Sequence, residues 1–354
     1  MIGIIQVLRL LGSASITVYH SGIAGEHGFW AVDLFFVISG FILMYSTEPK
    51  EPVMLEEPVS AGRFLKKRLV RVVPLYWIMT LFMYLLISVM PSLSIMSEAK
   101  LPDLIRSLLF IPFENNRGYC APILSLGWTL QYEIFLYLLF AVSMSINFRK
   151  RGWICSGMIL ALVLAGAGAN AAGIQMPVFL SFYTDSIMLE FILGIGAHEF
   201  WKRLNFVSRK EGMLTDIAEE NAMKILSLAG IGVMVVLMAR VENDYSIPRW
   251  IRLGLPAFIL FAFSMMSLGR EQFPRSTLKV ASASYSIYLV EYFGMAAYKF
   301  LCPVVLNITG AESTSLPGWM IRFILLAGAT AGILVVSLFT REWIEVRLGR
   351  KLLG

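Results

Sequence analysis

The sequence predicts an all-α polytopic membrane protein, a helix bundle with about ten transmembrane helices. Hydrophobic residues make up 57% of the 354 residues and charged residues only 15%, whereas a soluble domain carries about 25% charged residues. The mean hydropathy is +0.71. The apolar residues also fall into stretches of about 20, the length at which a helix crosses a bilayer.

These stretches follow one another with short connections. The predicted spans are 4–22, 29–47, 72–95, 124–146, 154–174, 178–200, 224–240, 250–268, 278–302 and 319–340. The first contains Arg9 and lacks a small-residue cleavage site, which favours a span over a signal peptide. The stretch 104–113 is too short to cross and is expected at the interface or as a re-entrant piece. No loop can hold a second domain, so one transmembrane domain is predicted over 1–345, followed by a short basic tail at 346–354.

Basic residues are distributed unevenly between alternate loops. Nineteen Lys and Arg lie in loops 48–71, 147–153, 201–223 and 269–277 and in the tail after 340, against four in loops 23–28, 96–123, 175–177, 241–249 and 303–318. Because cytoplasmic loops collect Lys and Arg, both termini are predicted in the cytoplasm. The same loops account for the pI of about 9.2, so membrane lipids are expected partners and nucleic acid is not.

The cysteines and histidines give no sign of a metal site. Cys120, Cys155 and Cys302 are scattered and odd in number, and the three histidines form no ligand motif. We therefore predict no metal, no disulfide framework and no permanently bound cofactor.

Several ionisable residues fall inside predicted spans, where they are costly and usually mark function. They are Arg9, His20, Asp33, Glu133, Asp185, Glu190, His198, Glu291 and Lys299. Lys299 and His198 lie near span ends, where a long or amphipathic side chain can reach the interface.

Arg9 and His20 are eleven residues apart on the first predicted helix. Eleven steps make three turns plus roughly 20°, so both side chains point the same way, about 16 Å apart along the axis. Arg suits a phosphate or carboxylate, and His suits proton transfer near neutral pH. An anchoring Arg and a hydrogen-bonded interfacial His remain the structural alternative.

A basic cluster precedes the third span, in which Pro74 is expected in the first turn. It consists of Arg63, Lys66, Lys67, Arg68 and Arg71. The cluster fits either an anchor for anionic headgroups or a cytoplasmic site for a polyphosphorylated ligand.

A carboxylate also lies deep in the fourth span. Thr129, Glu133 and Tyr137 share one helix face. The Glu133 carboxylate could orient a histidine, accept a proton or bind a sugar hydroxyl. The neighbouring aromatic residues suit a carbohydrate ring, although they are also common at membrane interfaces.

Several short motifs in order along most of the chain resemble those of the acyltransferase-3 family of membrane acyltransferases, in particular its branch of exopolysaccharide-production O-acetyltransferases. They are Arg9-x10-His20, the run from Phe29 to Phe41, Arg68-x-x-Arg71-x-x-Pro74-x-Tyr76, Trp128-Thr129-Leu130-x-Tyr132-Glu133, Glu190-Phe191-x-x-Gly194, Gly254-Leu255-Pro256-Ala257 and Ser284-Tyr285-Ser286-Ile287-Tyr288-Leu289. One position departs from the family: Glu291 stands where a histidine is common. Either this position only needs a polar partner, or the late helix works differently here.

The resemblance implies transfer of an acyl group from cytoplasmic acyl-CoA to a hydroxyl of a cell-surface glycan. The expected donor substrate is acetyl-CoA, although succinyl and other short chains fit the same architecture. Arg9, Arg68, Arg71 and Tyr76 are the expected acyl-CoA-binding residues.

The resemblance also implies which residues carry out the chemistry and which residues bind the acceptor. His20 would act as general base on the acceptor hydroxyl or accept the acyl group itself, and Glu133 or Asp33 would fix its tautomer. The expected acceptor-binding residues are Trp128, Tyr132, Tyr285 and Glu291.

Two other classes of protein remain open on the sequence. A transporter or flippase for a lipid-linked glycan would also have many spans and intramembrane charges, but no inverted repeat is visible. A non-catalytic scaffold among polysaccharide assembly proteins has no need for an Arg and a His on one helix face. The glycan acceptor, the side on which it is modified and the oligomeric state stay undetermined.

Overall fold

The computed structural model describes residues 2–23, 28–49, 59–91, 97–210, 217–241, 246–268 and 272–353. His27, the last residues of the predicted span 72–95 and parts of the basic loops lie outside them. The described chain is helical and contains no sheet. Its helices are α1 (Gly3–Ser21), α2 (Ala31–Thr47), α3 (Ala61–Val89), α4 (Leu101–Leu108), α5 (Gly127–Ile146), α6 (Arg151–Ala171), α7 (Val178–Tyr183), α8 (Leu189–Lys210), α9 (Ile217–Val241), α10 (Leu255–Leu268), α11 (Arg275–Ala281), α12 (Ser284–Thr309), α13 (Leu316–Thr340) and α14 (Gly349–Leu353).

The all-α membrane fold is confirmed for the described residues, but the count of about ten spans is not. Six helical segments there are long and apolar enough to cross a membrane: 61–89, 127–146, 148–171, 178–203, 284–309 and 316–353. The helix α2, with 17 residues, is shorter. The helix α1 has sufficient length but carries Gln6, Arg9 and His20, which lower its hydropathy. The same polar residues that weaken α1 as a span make it a candidate for function.

Most side chains of α2 are buried, which shows that this helix lies at the centre of the bundle. It crosses α8 at two glycines: a methyl group on Gly40 would overlap the Phe191 carbonyl oxygen, and one on Gly194 would overlap that of Val37. The two backbones therefore approach more closely than any side chain would allow.

The helices α1 and α12 run parallel in a fixed register. Ser13 Oγ donates to the Ser284 carbonyl oxygen at 3.2 Å, and His20 contacts Glu291 at 2.8 Å. Both pairs are 271 residues apart in sequence. The position of a residue on α1 along the bundle axis therefore gives the position of the residue 271 places later, on α12.

The remaining elements cap the ends of the bundle. The short helix α4 overlaps the stretch predicted at the interface. It buries Leu104 and Ser107 while Leu101 and Ile105 stay exposed. A π-helical segment, Arg341–Leu348, continues α13 into α14, and Lys66 Nζ donates to the Leu353 carbonyl oxygen at 3.5 Å. The basic tail is thus helical and packs against the start of α3.

Candidate active site

One pocket lies beside residues 68–72 of α3 and contains three guanidinium groups. We call it the arginine pocket. It is lined by residues of α1, α2, α3, α5 and α12: Arg9, Val32, Phe35, Phe36, Ile38, Ser39, Ile42, Leu43, Arg68, Arg71, Val72, Thr129, Leu130, Glu133, Tyr137, Ser284, Tyr285 and Tyr288. Three cations within one concave site suit a ligand with several phosphate charges.

Arg68 is held by its neighbours. Arg68 and Arg71 are three residues apart on α3, so they share a face, and Arg68 Nη2 donates to Ser46 Oγ at 2.5 Å. The Arg68 guanidinium also lies over the rings of Phe64 and Tyr137, at 5.6 and 5.7 Å from their centroids. The Tyr137 hydroxyl donates to the Glu133 carboxylate. The guanidinium of Arg68 is therefore held in one position in the pocket.

A second pocket lies farther along α1 and contains His20. We call it the histidine pocket. It is lined by Ile16, Tyr19, His20, Phe29, Val32, Tyr119, Cys120, Ala121, Ser125, Leu126, Trp128 and Tyr288. Its empty volume is about 910 Å³, part of it open to solvent. Aromatic side chains around an open, partly polar cavity suit a sugar ring and its hydroxyl groups.

His20 is paired with a buried carboxylate. His20 Nδ1 lies 2.8 Å from Glu291 Oε1, and the exposed fractions of the two side chains are 22% and 0%. The second oxygen, Oε2, has no partner among the described residues. A carboxylate in this position accepts the Nδ1–H bond and fixes the tautomer in which Nε2 can take a proton.

Asp33 forms a different ion pair. Arg249 donates from Nε and Nη2 to the two carboxylate oxygens of Asp33, both at 2.8 Å. The same guanidinium lies over the rings of Phe29, at 4.5 Å, and Trp128, at 5.6 Å. The pair thus fixes the aromatic wall of the histidine pocket.

The two acidic residues predicted to orient His20 do not reach it. Glu133 lies in the arginine pocket against Tyr137, and Asp33 is engaged by Arg249. The physical reason is the register of α1 and α12, which brings Glu291 to the level of His20. Glu291 therefore lies beside His20, in the position that was expected of Glu133 or Asp33.

Three predicted tyrosines lie elsewhere than expected. Tyr76 is buried against Phe110, donates to the Ser107 carbonyl oxygen at 3.1 Å and lines neither pocket. Tyr132 stacks on Phe182 and donates to its carbonyl oxygen at 2.9 Å. Tyr285 lines the arginine pocket, with its hydroxyl donating to the Val72 carbonyl oxygen. Buried hydroxyl groups need partners, and the backbone supplies them here. In contrast, Arg9, Arg68 and Arg71 meet as expected, and Trp128 lines the pocket of His20.

Two functional candidates were not apparent from the sequence. Arg249 stood out only as the single basic residue in its loop. Glu345 belongs to the π-helical segment after α13, where it accepts a hydrogen bond from Ser286 at 2.5 Å and lies close enough to Arg9 and Arg71 for electrostatic attraction. A lone Arg opposite an intramembrane Asp was the available signal for the first. No sequence signal pointed to the second.

A helical membrane domain with clustered arginines and a carboxylate-paired histidine fits the acyltransferases. The chain matches the acyltransferase-3 family, described as an acyltransferase domain, over residues 2–338, and it belongs to that family. It is 31% identical over 284 residues to the exopolysaccharide production protein ExoZ of Rhizobium meliloti (strain 1021), covering 77% of this chain and 79% of that protein. No solved structure matches the chain.

Proposed function

We propose that this protein is an O-acetyltransferase of the bacterial inner membrane. It transfers an acetyl group from cytoplasmic acetyl-CoA to a hydroxyl of a cell-surface glycan, such as an exopolysaccharide or its lipid-linked precursor. One observation carries the proposal: a cationic pocket and a histidine–glutamate pair lie along one face of α1, and two residues, Val32 and Tyr288, line both pockets. The similarity to a protein of exopolysaccharide production favours a glycan acceptor.

The arginine pocket is the donor side of this proposal. The phosphates of a CoA thioester match the charge of Arg9, Arg68 and Arg71, and its pantetheine arm is an extended chain that can follow α1 toward His20. The basic loops beside α3 favour a cytoplasmic position for this pocket.

His20 is the general base of the reaction. Its Nε2 takes the proton from the acceptor hydroxyl while the hydroxyl oxygen attacks the thioester carbonyl carbon. The carbon–sulfur bond then breaks, and the departing thiolate receives that proton from His20. The buried Glu291 carboxylate stabilises the imidazolium that exists between these steps.

Substitution of His20 tests this chemistry. We expect His20→Ala to lower the transfer of labelled acetyl from acetyl-CoA to glycan by about 10²–10⁴-fold, the usual contribution of a general base. The measurement uses membranes with matched amounts of protein. Undiminished transfer by a normally produced variant would refute the mechanism.

Charge reversal on α3 tests the donor site separately. Arg68→Glu and Arg71→Glu are expected to raise the KM for acetyl-CoA at least about tenfold, because a hydrogen bond to a charged group contributes about 1.5–3 kcal/mol. Lys67→Glu is the matched control, since Lys67 lies on the same helix but is exposed and outside the pocket. An equal effect of all three variants would indicate general surface attraction or membrane anchoring instead of a binding site.

A further inference from the structure

Two residues are common to both pockets. Val32 of α2 and Tyr288 of α12 line the arginine pocket on one side and the histidine pocket on the other. Tyr288 is 7% exposed. A side chain that borders two cavities and is itself buried is part of the wall between them.

The parallel register gives the height of this wall. Tyr288 is three residues before Glu291 on α12. It therefore lies about 4.5 Å from the His20–Glu291 pair along the helix axis, toward the N-terminal end of α12. Arg9 lies farther down α1, about 16 Å from His20. The wall therefore lies between the arginine pocket and His20, and it is adjacent to His20.

The ring of Tyr288 is held in place from two sides. Its hydroxyl lies 3.1 Å from the Leu126 carbonyl oxygen and 2.9 Å from Thr129 Oγ1. The Phe35 ring meets it edge-on, with centroids 6.1 Å apart, and Phe35 itself fills the space that Gly12 leaves open. The wall is thus held by hydrogen-bond contacts of the Tyr288 hydroxyl and by the ring contact with Phe35.

We infer that Tyr288 is the residue that separates the donor and acceptor halves of the site, and that with Val32 it limits which acyl groups reach His20. Resting on the proposed function, this assigns Tyr288 as a positioning and specificity-determining residue that favours short acyl chains. A thioester reaches the base only past this ring, and water in the histidine pocket is kept from the donor while the ring is in place.

Cys120 offers a direct test of the wall that does not depend on catalysis. It lines the histidine pocket and is exposed, whereas Cys155 and Cys302 are buried and can be replaced by Ala. Partial burial and the Glu114 carboxylate raise the pKa of the Cys120 thiol, so labelling with a charged, membrane-impermeant methanethiosulfonate is carried out in mildly alkaline buffer. Sealed vesicles of each orientation expose one pocket at a time to the reagent.

We expect Cys120 to react from the face of the histidine pocket and to be protected from the face of the arginine pocket. Tyr288→Ala should raise labelling from the arginine face at least tenfold, and Thr129→Val, which removes one anchor of the ring, should raise it less. Tyr285→Ala is the matched control, because Tyr285 lines only the arginine pocket. Retained labelling from the opposite face together with a single cooperative melting transition shows that each variant is folded.

Two results would overturn the inference. One is labelling of the wild type from the arginine face, which would mean that the pockets are already joined. The other is full protection in both Tyr288→Ala and Val32→Ala, which would locate the barrier elsewhere. The activity readout is the kcat/KM ratio of hexanoyl-CoA to acetyl-CoA, expected to rise at least tenfold in Tyr288→Ala; an unchanged ratio removes the specificity role. If labelling behaves as expected but the wild type transfers no acyl group, the wall stands and the proposed function fails.

Discussion

At the scale of single residues, the pair of His20 and Glu291 decides how the site can work. The resemblance to the family led us to expect a histidine at position 291, whereas the residue here is a fully buried carboxylate. Either side chain can accept a hydrogen bond from Nδ1–H, but only the carboxylate also neutralises the imidazolium. The carboxylate at position 291 therefore supplies both the orienting contact and an electrostatic one.

This difference predicts a graded response to substitution. Glu291→Ala should lower kcat by about 10²-fold or more, because the orienting acceptor is lost. Glu291→His should retain more activity than Glu291→Ala, since a neutral imidazole can still accept from Nδ1–H. The pH–rate profile of each variant is the readout, and the KM for acetyl-CoA should change little.

The control for general effects of charge is Glu312→Gln, because Glu312 is an exposed residue in the α12–α13 loop. Equal activity of the Ala and His variants would contradict the role assigned to Glu291.

The residues that share a helix could be predicted from the sequence, and those that meet across helices could not. Periodicity alone grouped Thr129, Glu133 and Tyr137 on one helix face, and all three line the arginine pocket. The partner of His20 lies 271 residues away and that of Asp33 lies 216 residues away. Such contacts depend on which helices pack and in what register, information that no local pattern contains.

At the scale of elements, the hydropathy of the chain predicted where helices lie better than where they begin. The third span was predicted from 72, but α3 begins at Ala61, with the Ser60 side chain accepting from the Arg63 N–H. The basic residues before Val72 are helical although they are not apolar. The helix therefore carries Arg68 and Arg71 beyond the apolar segment and turns both toward α1 and α5.

The crossing of α2 and α8 gives a prediction at this scale. Gly194→Ala should destabilise the protein by about 1–3 kcal/mol, because the added methyl group overlaps the backbone of α2 and forces the helices apart. The melting temperature in detergent and the fraction of monodisperse protein measure the effect.

Gly196→Ala is the matched control, since it lies two residues away on the same helix and its methyl group would meet nothing within 4 Å. It should be neutral or slightly stabilising, as Ala is the better helix former. If both variants have the same melting temperature, the close crossing of α2 and α8 does not contribute to stability.

At the scale of the whole molecule, the bundle contains two pockets of different chemical character within one site. The arginine pocket collects positive charge near the basic ends of the helices, and the histidine pocket is lined by aromatic residues near the opposite loops. The helix α1 reaches both, which explains why Arg9 and His20 lie on one face of it. This arrangement suits a reaction whose donor and acceptor approach from opposite sides of a membrane.

This arrangement predicts the sidedness of the proposed reaction, which can be measured. Acetyl-CoA does not cross a bilayer, so inside-out vesicles should transfer labelled acetyl from added acetyl-CoA to glycan, and sealed right-side-out vesicles should not. Detergent permeabilisation should equalise the two preparations, which controls for the amount of active protein. The Arg71→Glu variant should lose the advantage of the inside-out preparation at low acetyl-CoA and regain it at high concentration, because its defect is in donor binding. Transfer by intact right-side-out vesicles would place the donor site on the opposite face and contradict the orientation that the nineteen basic residues predict.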